Sequence, residues 1–296
     1  MATATTITST TAWSPDATAF APEDVIPDAL ILQTSTVSGR VEGDAVSVRV
    51  AYVDDAAAMF VAEGADIGES DPSLAEVVVH TGAIKQLVKL SREQWHQDGT
   101  SRLVSTSVAR AVTRAANQAY IAQPAPGGGA VTPPAGLLNI AGIHNGGEID
   151  TDLDALADAL AHIEDSDGLP SHIIASPTAW GALRKLKLGD DYNASLLGAG
   201  TSDIDKRLLG IPVLTTPAVP TGSLLIVDRT AIVTAVSDVE IAVSEHAYFN
   251  SDSIGLRATF RFGQNVVRPD RLAKLTVAGV TEEESSSSSS SSSSGS

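Results

Sequence analysis

Three alternating aspartates offer the best match to a known site of chemistry. Asp150, Asp152 and Asp154 have the spacing of the first ligands of a calcium-binding loop. The turn glycine expected at the sixth position is Ala155, and the acid expected at the twelfth is Ala161. Carboxylates just before a helix also interact favourably with its dipole. We therefore interpret these aspartates as a helix start and predict no bound metal.

Other patterns of catalytic or cofactor sites are missing from the sequence. The chain has no cysteine, so thiolate metal sites and cysteine nucleophiles are excluded. Its six histidines show neither H-x-x-x-H nor H-E-x-x-H spacing, and no G-x-S-x-G motif occurs. The glycine clusters at Gly127–Gly129 and Gly198–Gly200 lack the Lys-Ser/Thr of a phosphate loop. We predict no catalytic residue and no cofactor, which makes an acidic hydrolase with an unrecognised site the least favoured function.

The charge of the chain limits its partners. The net charge is −17, so nucleic-acid phosphates repel the protein overall and a DNA-reading role is disfavoured. Enclosing DNA without gripping it stays possible. Apolar runs such as Leu224–Val227 are far too short to span a bilayer, and the N-terminus has no signal-peptide pattern. We expect no membrane partner.

A long helix is predicted over Thr100–Ala122. Small apolar residues recur at three- and four-residue steps and form a narrow stripe, while three arginines lie off it. Thr100 or Ser101 can cap the start, and Pro124 ends the helix. The stripe consists of Val104, Val108, Ala111, Ala115, Ala119 and Ala122, and the arginines are Arg102, Arg110 and Arg114. A helix with one small-residue face and one arginine face is expected to contact two different surfaces.

An acidic hairpin is predicted over Val50–Thr81. This range has seven acids and neither lysine nor arginine, and its exposed apolar residues require a partner surface. The acidic candidates for an interface are Asp54, Asp55, Glu63, Asp66, Glu69 and Asp71, and the apolar candidates are Met59, Phe60 and Ile67. Opposite charges would meet if the hairpin of one copy lay across the long helix of another. The alternative is that both charged faces are simply solvated.

The remaining segments indicate an α+β protein. Residues 1–39 suggest an extended arm with short ordered pieces, and Ser91–Gln94 has the pattern of a capping box before a short helix. Residues 280–296 are predicted to form a flexible Glu/Ser tail. Helices are predicted over Asp152–Ile163 and Pro177–Leu186, and strands over Leu74–Thr81, Ala83–Leu90, Ser171–Ser176, Leu208–Thr215, Ser223–Val227, Ile232–Val236, Val239–Val243, Tyr248–Asn265 and Val266–Val277.

The order of these segments resembles the major capsid proteins of tailed phages, which have the Hong-Kong-97-type shell fold. The similarity covers roughly Arg40–Val277 and depends on the order and spacing of several short patterns. These are Met59–Gly64 with Ile67–Ser70, Lys89–Glu93, Pro134–Leu137, Ala175–Pro177 with Trp180, Leu209–Val213, Leu225–Asp228, Phe249 with Arg257 and Arg261, and Val266–Pro269. Each pattern alone is weak, but together they make the resemblance specific.

The resemblance implies an architecture. It comprises an N-terminal arm (1–39), a P-domain with a spine helix (40–49 and 82–136), an E-loop hairpin (50–81), an A-domain (137–243), closing P-domain strands (244–279) and the tail (280–296). It also implies a function: pentamers and hexamers that self-assemble into an icosahedral shell around double-stranded DNA. The location would be the virion capsid, assembled in the cytoplasm of a bacterial host.

Two departures from the family pattern affect the expected assembly. Some members cross-link through a lysine on the E-loop, but Val50–Thr81 has none, so we expect a non-covalent shell. Some members begin with a long scaffolding segment, whereas about forty residues precede the hairpin here. We expect a separate scaffolding protein, besides a portal and decoration proteins; the less favoured alternative is a scaffolding segment cleaved before Met1. An encapsulin-type compartment shell is the alternative function, because it shares the fold.

Overall fold

A computed structural model describes residues 17–53, 74–95, 97, 99–189, 192–196 and 206–280. Six α-helices and sixteen strands lie within these ranges. The helices are α1 (Pro22–Val25), α2 (Leu30–Thr34), α3 (Arg92–Trp95), α4 (Thr100–Ala122), α5 (Asp154–Asp165) and α6 (Pro177–Leu183). The strands are β1 (Ala17–Phe20), β2 (Thr36–Arg40), β3 (Ser47–Val53), β4 (Leu74–His80), β5 (Gly82–Ser91), β6 (His144–Ile149), β7 (His172–Ala175), β8 (Lys187–Gly189), β9 (Tyr192–Ser195), β10 (Arg207–Leu208), β11 (Ile211–Thr215), β12 (Ser223–Val227), β13 (Ile232–Val236), β14 (Val239–Tyr248), β15 (Ser253–Val266) and β16 (Ala273–Val277).

The first sheet carries the long helix. Its strands are ordered β1-β14-β15-β13-β2, and β5 pairs with β15 along its whole length. Alternate residues of β15 point into a core, where Phe260 and Phe262 stack with ring centroids 5.5 Å apart. Helix α4 covers this face and buries Val108, Val112 and Tyr120 against it. The sheet therefore fixes which side of α4 faces solvent.

The buried face of α4 differs from the predicted stripe. Val108, Val112, Ala116 and Tyr120 are buried, whereas Ala115 is exposed. The large side chains decide the rotation of the helix, because they remove more apolar area from water than alanine does. The predicted bounds are confirmed, but Gly99, with a φ of 83° and no side-chain cap, occupies the N-cap position. The predicted cap by Thr100 or Ser101 is wrong.

The second sheet has its own core. Its order is β10-β11-β7-β12-β16-β6, with β7 parallel to β11 and antiparallel to β12. Helices α5 and α6 pack on it through residues such as Leu156, Ile163 and Leu183. The Pro177 start of α6 is capped by the Ser176 hydroxyl, which accepts the Ala179 N–H at 3.1 Å. The two sheets together give the mixed helix and strand content expected from the sequence.

The strands do not divide between the sheets in chain order. β13 lies inside the predicted 137–243 range and β14 crosses its end, and both belong to the first sheet. β16, inside the predicted closing range 244–279, belongs to the second sheet, where it pairs with β12 and β6. Each sheet is therefore completed by segments that are distant in sequence.

The segment predicted as the end of an arm is part of the core. Ile26, Leu30 and Ile31 are buried beside α4, and the Leu30 N–H donates to Asn117 Oδ1 at 2.8 Å. The Thr34 hydroxyl lies 3.1 Å from the Tyr120 hydroxyl inside this core. Residues 26–35 thus pack within their own chain rather than extending from it.

Candidate functional site

Two of the three predicted arginines share one outward face of α4. Arg110 and Arg114 lie four residues apart, about one turn, and both are exposed. Val108 and Val112 point the opposite way into the core. Arg102 is exposed as well, but it lies roughly 80° around the helix from Arg110. The structure therefore brings Arg110 and Arg114 together and leaves Arg102 to one side.

These arginines form no ion pair within the described residues, whereas several other arginines of the chain do. Among the described residues, the side chains of Arg102, Arg110 and Arg114 form no hydrogen bond or ion pair. Elsewhere Arg40 pairs with Asp238 at 2.5 Å and Arg92 with Asp252 at 2.9 Å. The outward face of α4 is thus positively charged and unsatisfied within the part of the chain that the structure describes.

A groove runs beside the two arginines. It has a volume of about 380 Å³ and is also lined by Asp28, Asn117 and the Thr216–Ala218 turn. The turn is fixed, because the Ala218 N–H donates to Thr216 Oγ1 at 3.2 Å. The groove therefore has walls from three separate parts of the chain.

An exposed leucine extends this face toward the start of the helix. Leu103 is 72% exposed and lies seven residues before Arg110, two turns along the same side. An exposed large apolar residue beside unpaired arginines suits a partner segment that is both apolar and acidic. We call Leu103, Arg110 and Arg114 with the adjoining groove the α4 face.

The predicted partner residues lie outside the described residues. These are Asp54, Asp55, Met59, Phe60, Glu63, Asp66, Ile67, Glu69 and Asp71. The base of the hairpin is described: β3 and β4 form an antiparallel ladder in which Val50 is opposite Val77. Val50 and Val79 are buried against Val233 and Ala235 of β13. The first sheet therefore anchors the hairpin where it begins and ends.

The aspartates that resemble a calcium loop serve a helix start. Helix α5 begins at Asp154, and Asp152 Oδ1 accepts the Asp154 N–H at 3.1 Å. Among the described residues, no three His, Asp or Glu side chains are grouped as a metal would need.

The capping box before α3 is confirmed, because the Gln94 N–H donates to Ser91 Oγ at 3.2 Å and the Ser91 N–H to Gln94 Oε1 at 3.4 Å.

A histidine pair was not predicted. The rings of His144, in β6, and His162, in α5, stack with centroids 3.8 Å apart. Burial removes hydration from His144 and lowers its pKa, and His162 lowers that pKa further by charge repulsion. Eighteen residues separate the two histidines, so no motif spacing reveals their contact.

A buried aspartate between the two sheets was also missed. Asp228 follows β12 of the second sheet and precedes β13 of the first, and it is 1% exposed. Its carboxylate accepts the Leu169 N–H at 3.1 Å and the Thr230 N–H at 2.8 Å, and the Arg271 guanidinium lies 3.9 Å away. Sequence reasoning treated Asp228 as part of a short pattern and assigned it no partner.

Comparison with known proteins identifies the family. The model of the phage capsid family matches residues 27–277. The chain belongs to the phage capsid family. The predicted major capsid protein is therefore confirmed, and this is a structural component of the virion shell rather than an enzyme. No curated protein matches the chain.

Solved structures show the same fold at low sequence identity. A Gordonia phage Cozz structure is 15% identical with a TM-score of 0.64, covering 84% of this chain and 86% of that one. The capsid of an empty GTA particle is 18% identical with a TM-score of 0.62, covering 84% and 90%. A Microbacterium phage Oxtober96 structure is 17% identical with a TM-score of 0.59, covering 94% and 96%.

This phage capsid protein self-assembles, as its family implies. None of the helices in the described ranges is both long enough and apolar enough to cross a bilayer.

Proposed function

We propose that this capsid protein forms pentamers and hexamers that close an icosahedral shell around double-stranded DNA. We further propose that the acidic 54–73 segment of one copy lies across the α4 face of a neighbour. The single observation that carries the second proposal is the absence, among described residues, of any acidic partner for Arg110 and Arg114. Residues 54–73 carry six acids and no base, so a second copy brings the complementary charge.

The net charge supports the enclosing role. A chain with a net charge of −17 does not adhere to DNA phosphates, so packaged DNA stays free of the shell wall. Weak contacts suffice for the shell, because each subunit makes many of them at once. The proposal includes assembly without covalent cross-links, with a separate scaffolding protein, a portal and decoration proteins as further partners.

Charge reversal at the α4 face tests the interface. Arg110→Glu with Arg114→Glu removes two positive charges opposite the acidic segment and adds two negative ones, a net change of −4. Exposed pairs contribute about 0–1 kcal/mol each, and repulsion adds a similar amount, so a change near the middle of this range should make assembly need about tenfold more protein. The measurement is shell formation against concentration, followed by light scattering and electron microscopy.

A matched variant controls for net charge. Lys185→Glu with Lys274→Glu makes the same charge change at two exposed positions outside the α4 face. This control should assemble like the unaltered chain, and the difference between the variants should shrink at high salt, where charges are screened. Equal assembly of both double variants at low salt would contradict the interface. Failure of the unaltered chain to form shells would instead contradict the shell function.

A further inference from the structure

The turn between β10 and β11 holds a leucine in an unfavourable backbone conformation. Leu208 is paired with Ile211, so Leu209 and Gly210 form a two-residue turn. Their φ angles are 49° and 85°. Such turns favour asparagine or aspartate followed by glycine, because these residues tolerate positive φ. Leucine does not, so turn stability alone would favour asparagine at position 209.

Burial within the chain does not compensate for this strain. The Leu208 side chain is 2% exposed, but that of Leu209 is 52% exposed. The hairpin is rigid, since the Val213 N–H donates to the Lys206 carbonyl at 2.8 Å and Lys206 Nζ donates to Thr215 Oγ1 at 2.7 Å. Strained residues persist where function requires them. Leu209 is therefore a candidate for a contact outside its own chain.

A second exposed leucine lies at the same end of the sheet. β7 and β11 are parallel, with Ile173 opposite Val213. Leu169 and Leu209 each precede these partners by four residues, and Leu169 is 75% exposed. The Leu169 backbone is fixed, because its N–H donates to Asp228 Oδ2 at 3.1 Å. We call these two leucines the Leu169–Leu209 edge.

We propose that the Leu169–Leu209 edge is a contact surface for a second copy of this chain, separate from the α4 face. The inference rests on the proposed shell function, which supplies neighbouring copies. Charge favours the same occupant: Arg207 beside the edge is exposed and has no ion pair among the described residues, whereas another copy is strongly acidic. The leucines supply apolar contact, and the arginine orients the encounter.

Substitutions at position 209 test this, because stability and assembly should change in opposite directions. Leu209→Asn relieves the strained turn, so the unfolding midpoint of the unassembled protein should rise by about 3 °C. The same change removes the apolar contact, so shells should require about tenfold more protein. Leu209→Met keeps an apolar side chain and should assemble at nearly the original concentration.

Leu169→Asn provides a second test of the same surface. It should weaken assembly without raising the unfolding midpoint, because Leu169 is not among the non-glycine residues with positive φ. The proposal is overturned if Leu209→Asn forms shells at the original concentration, or if Leu209→Met weakens assembly as much as Leu209→Asn does. If the unaltered chain forms no shells, the proposed function fails instead, and the two failures are distinguishable.

Discussion

Replacing Asp228 should destabilise the subunit more than its single negative charge suggests. The carboxylate connects three segments: the loop before β7 through the Leu169 N–H, the turn before β13 through the Thr230 N–H, and the 3-10 turn at Pro269–Arg271 through Arg271. Asp228→Ala removes every acceptor at once. The donors stay behind, and a buried donor without a partner costs more than its hydrogen bond contributed.

The magnitude follows from the exposure of each donor. The side chains of Asp228 and Arg271 are 2% and 13% exposed, so the guanidinium gains little water when Asp228 is lost and, among the described residues, keeps only its Nε hydrogen bond to the Ser166 carbonyl. The two backbone N–H groups are partly buried and should cost about 1–1.5 kcal/mol each. Adding about 1 kcal/mol for Arg271 gives a loss of about 3–4 kcal/mol, within the range for breaking a buried charged pair.

The assay is denaturant unfolding of the unassembled protein, compared across three variants. Asp228→Asn keeps a carbonyl oxygen that can accept one backbone N–H, but its NH₂ group would face the other backbone N–H. The free energy of unfolding should therefore fall by about 1–2 kcal/mol. Asp270→Ala removes an exposed carboxylate nearby and should change stability by less than about 0.5 kcal/mol. A loss below about 1 kcal/mol for Asp228→Ala would refute the assignment of Asp228 as the connecting acceptor.

Two further predictions concern glycine packing and pH. Gly263→Ala would place a Cβ 2.1 Å from the His80 carbonyl oxygen, so its free energy of unfolding should fall by about 2–3 kcal/mol. At Gly181 an added Cβ meets no atom within 4 Å, so Gly181→Ala should raise the free energy of unfolding by about 0.5–1 kcal/mol through its helix. Equal unfolding free energies for the two variants would contradict this packing. Folding lowers the pKa of His144, so between pH 6.5 and that lower pKa the unfolded chain binds more protons than the folded chain does. The free energy of unfolding should therefore fall as the pH falls through this window. Removing the ring by His144→Asn should flatten this dependence in unfolding measurements from about pH 5 to 8, and an unchanged slope would argue against it.

Local patterns predicted the elements that local chemistry controls. Thr100–Ala122, Ser223–Val227 and Ile232–Val236 have the predicted bounds, since alanine-rich periodicity and β-branched runs favour one conformation over neighbouring residues. The Ser91–Gln94 capping box is confirmed for the same reason, because both partners lie three residues apart. The family resemblance could be recognised because its patterns are short and keep their order along the chain.

For the α4 face, the sequence predicted the helix and its arginines but not which arginines share one side. The three arginines were predicted as one face, but the rotation of α4 depends on which large side chains the first sheet accepts. Tyr120 enters that core and forms its hydroxyl contact with Thr34, so Arg110 and Arg114 face outward together. The arrangement of the acidic hairpin against this face stays a prediction.

The sequence by itself determined the bounds of α4, β12 and β13, the charge of several segments and the family, because these depend on residues close together in the chain. Tertiary structure alone decided which strands share a sheet, that Asp228 joins the two sheets, and that His144 meets His162. It also decided that Leu209 has a positive φ, because the β10–β11 register places that residue in a two-residue turn. Each of these depends on contacts between distant segments, which are chosen by the packing of the whole molecule.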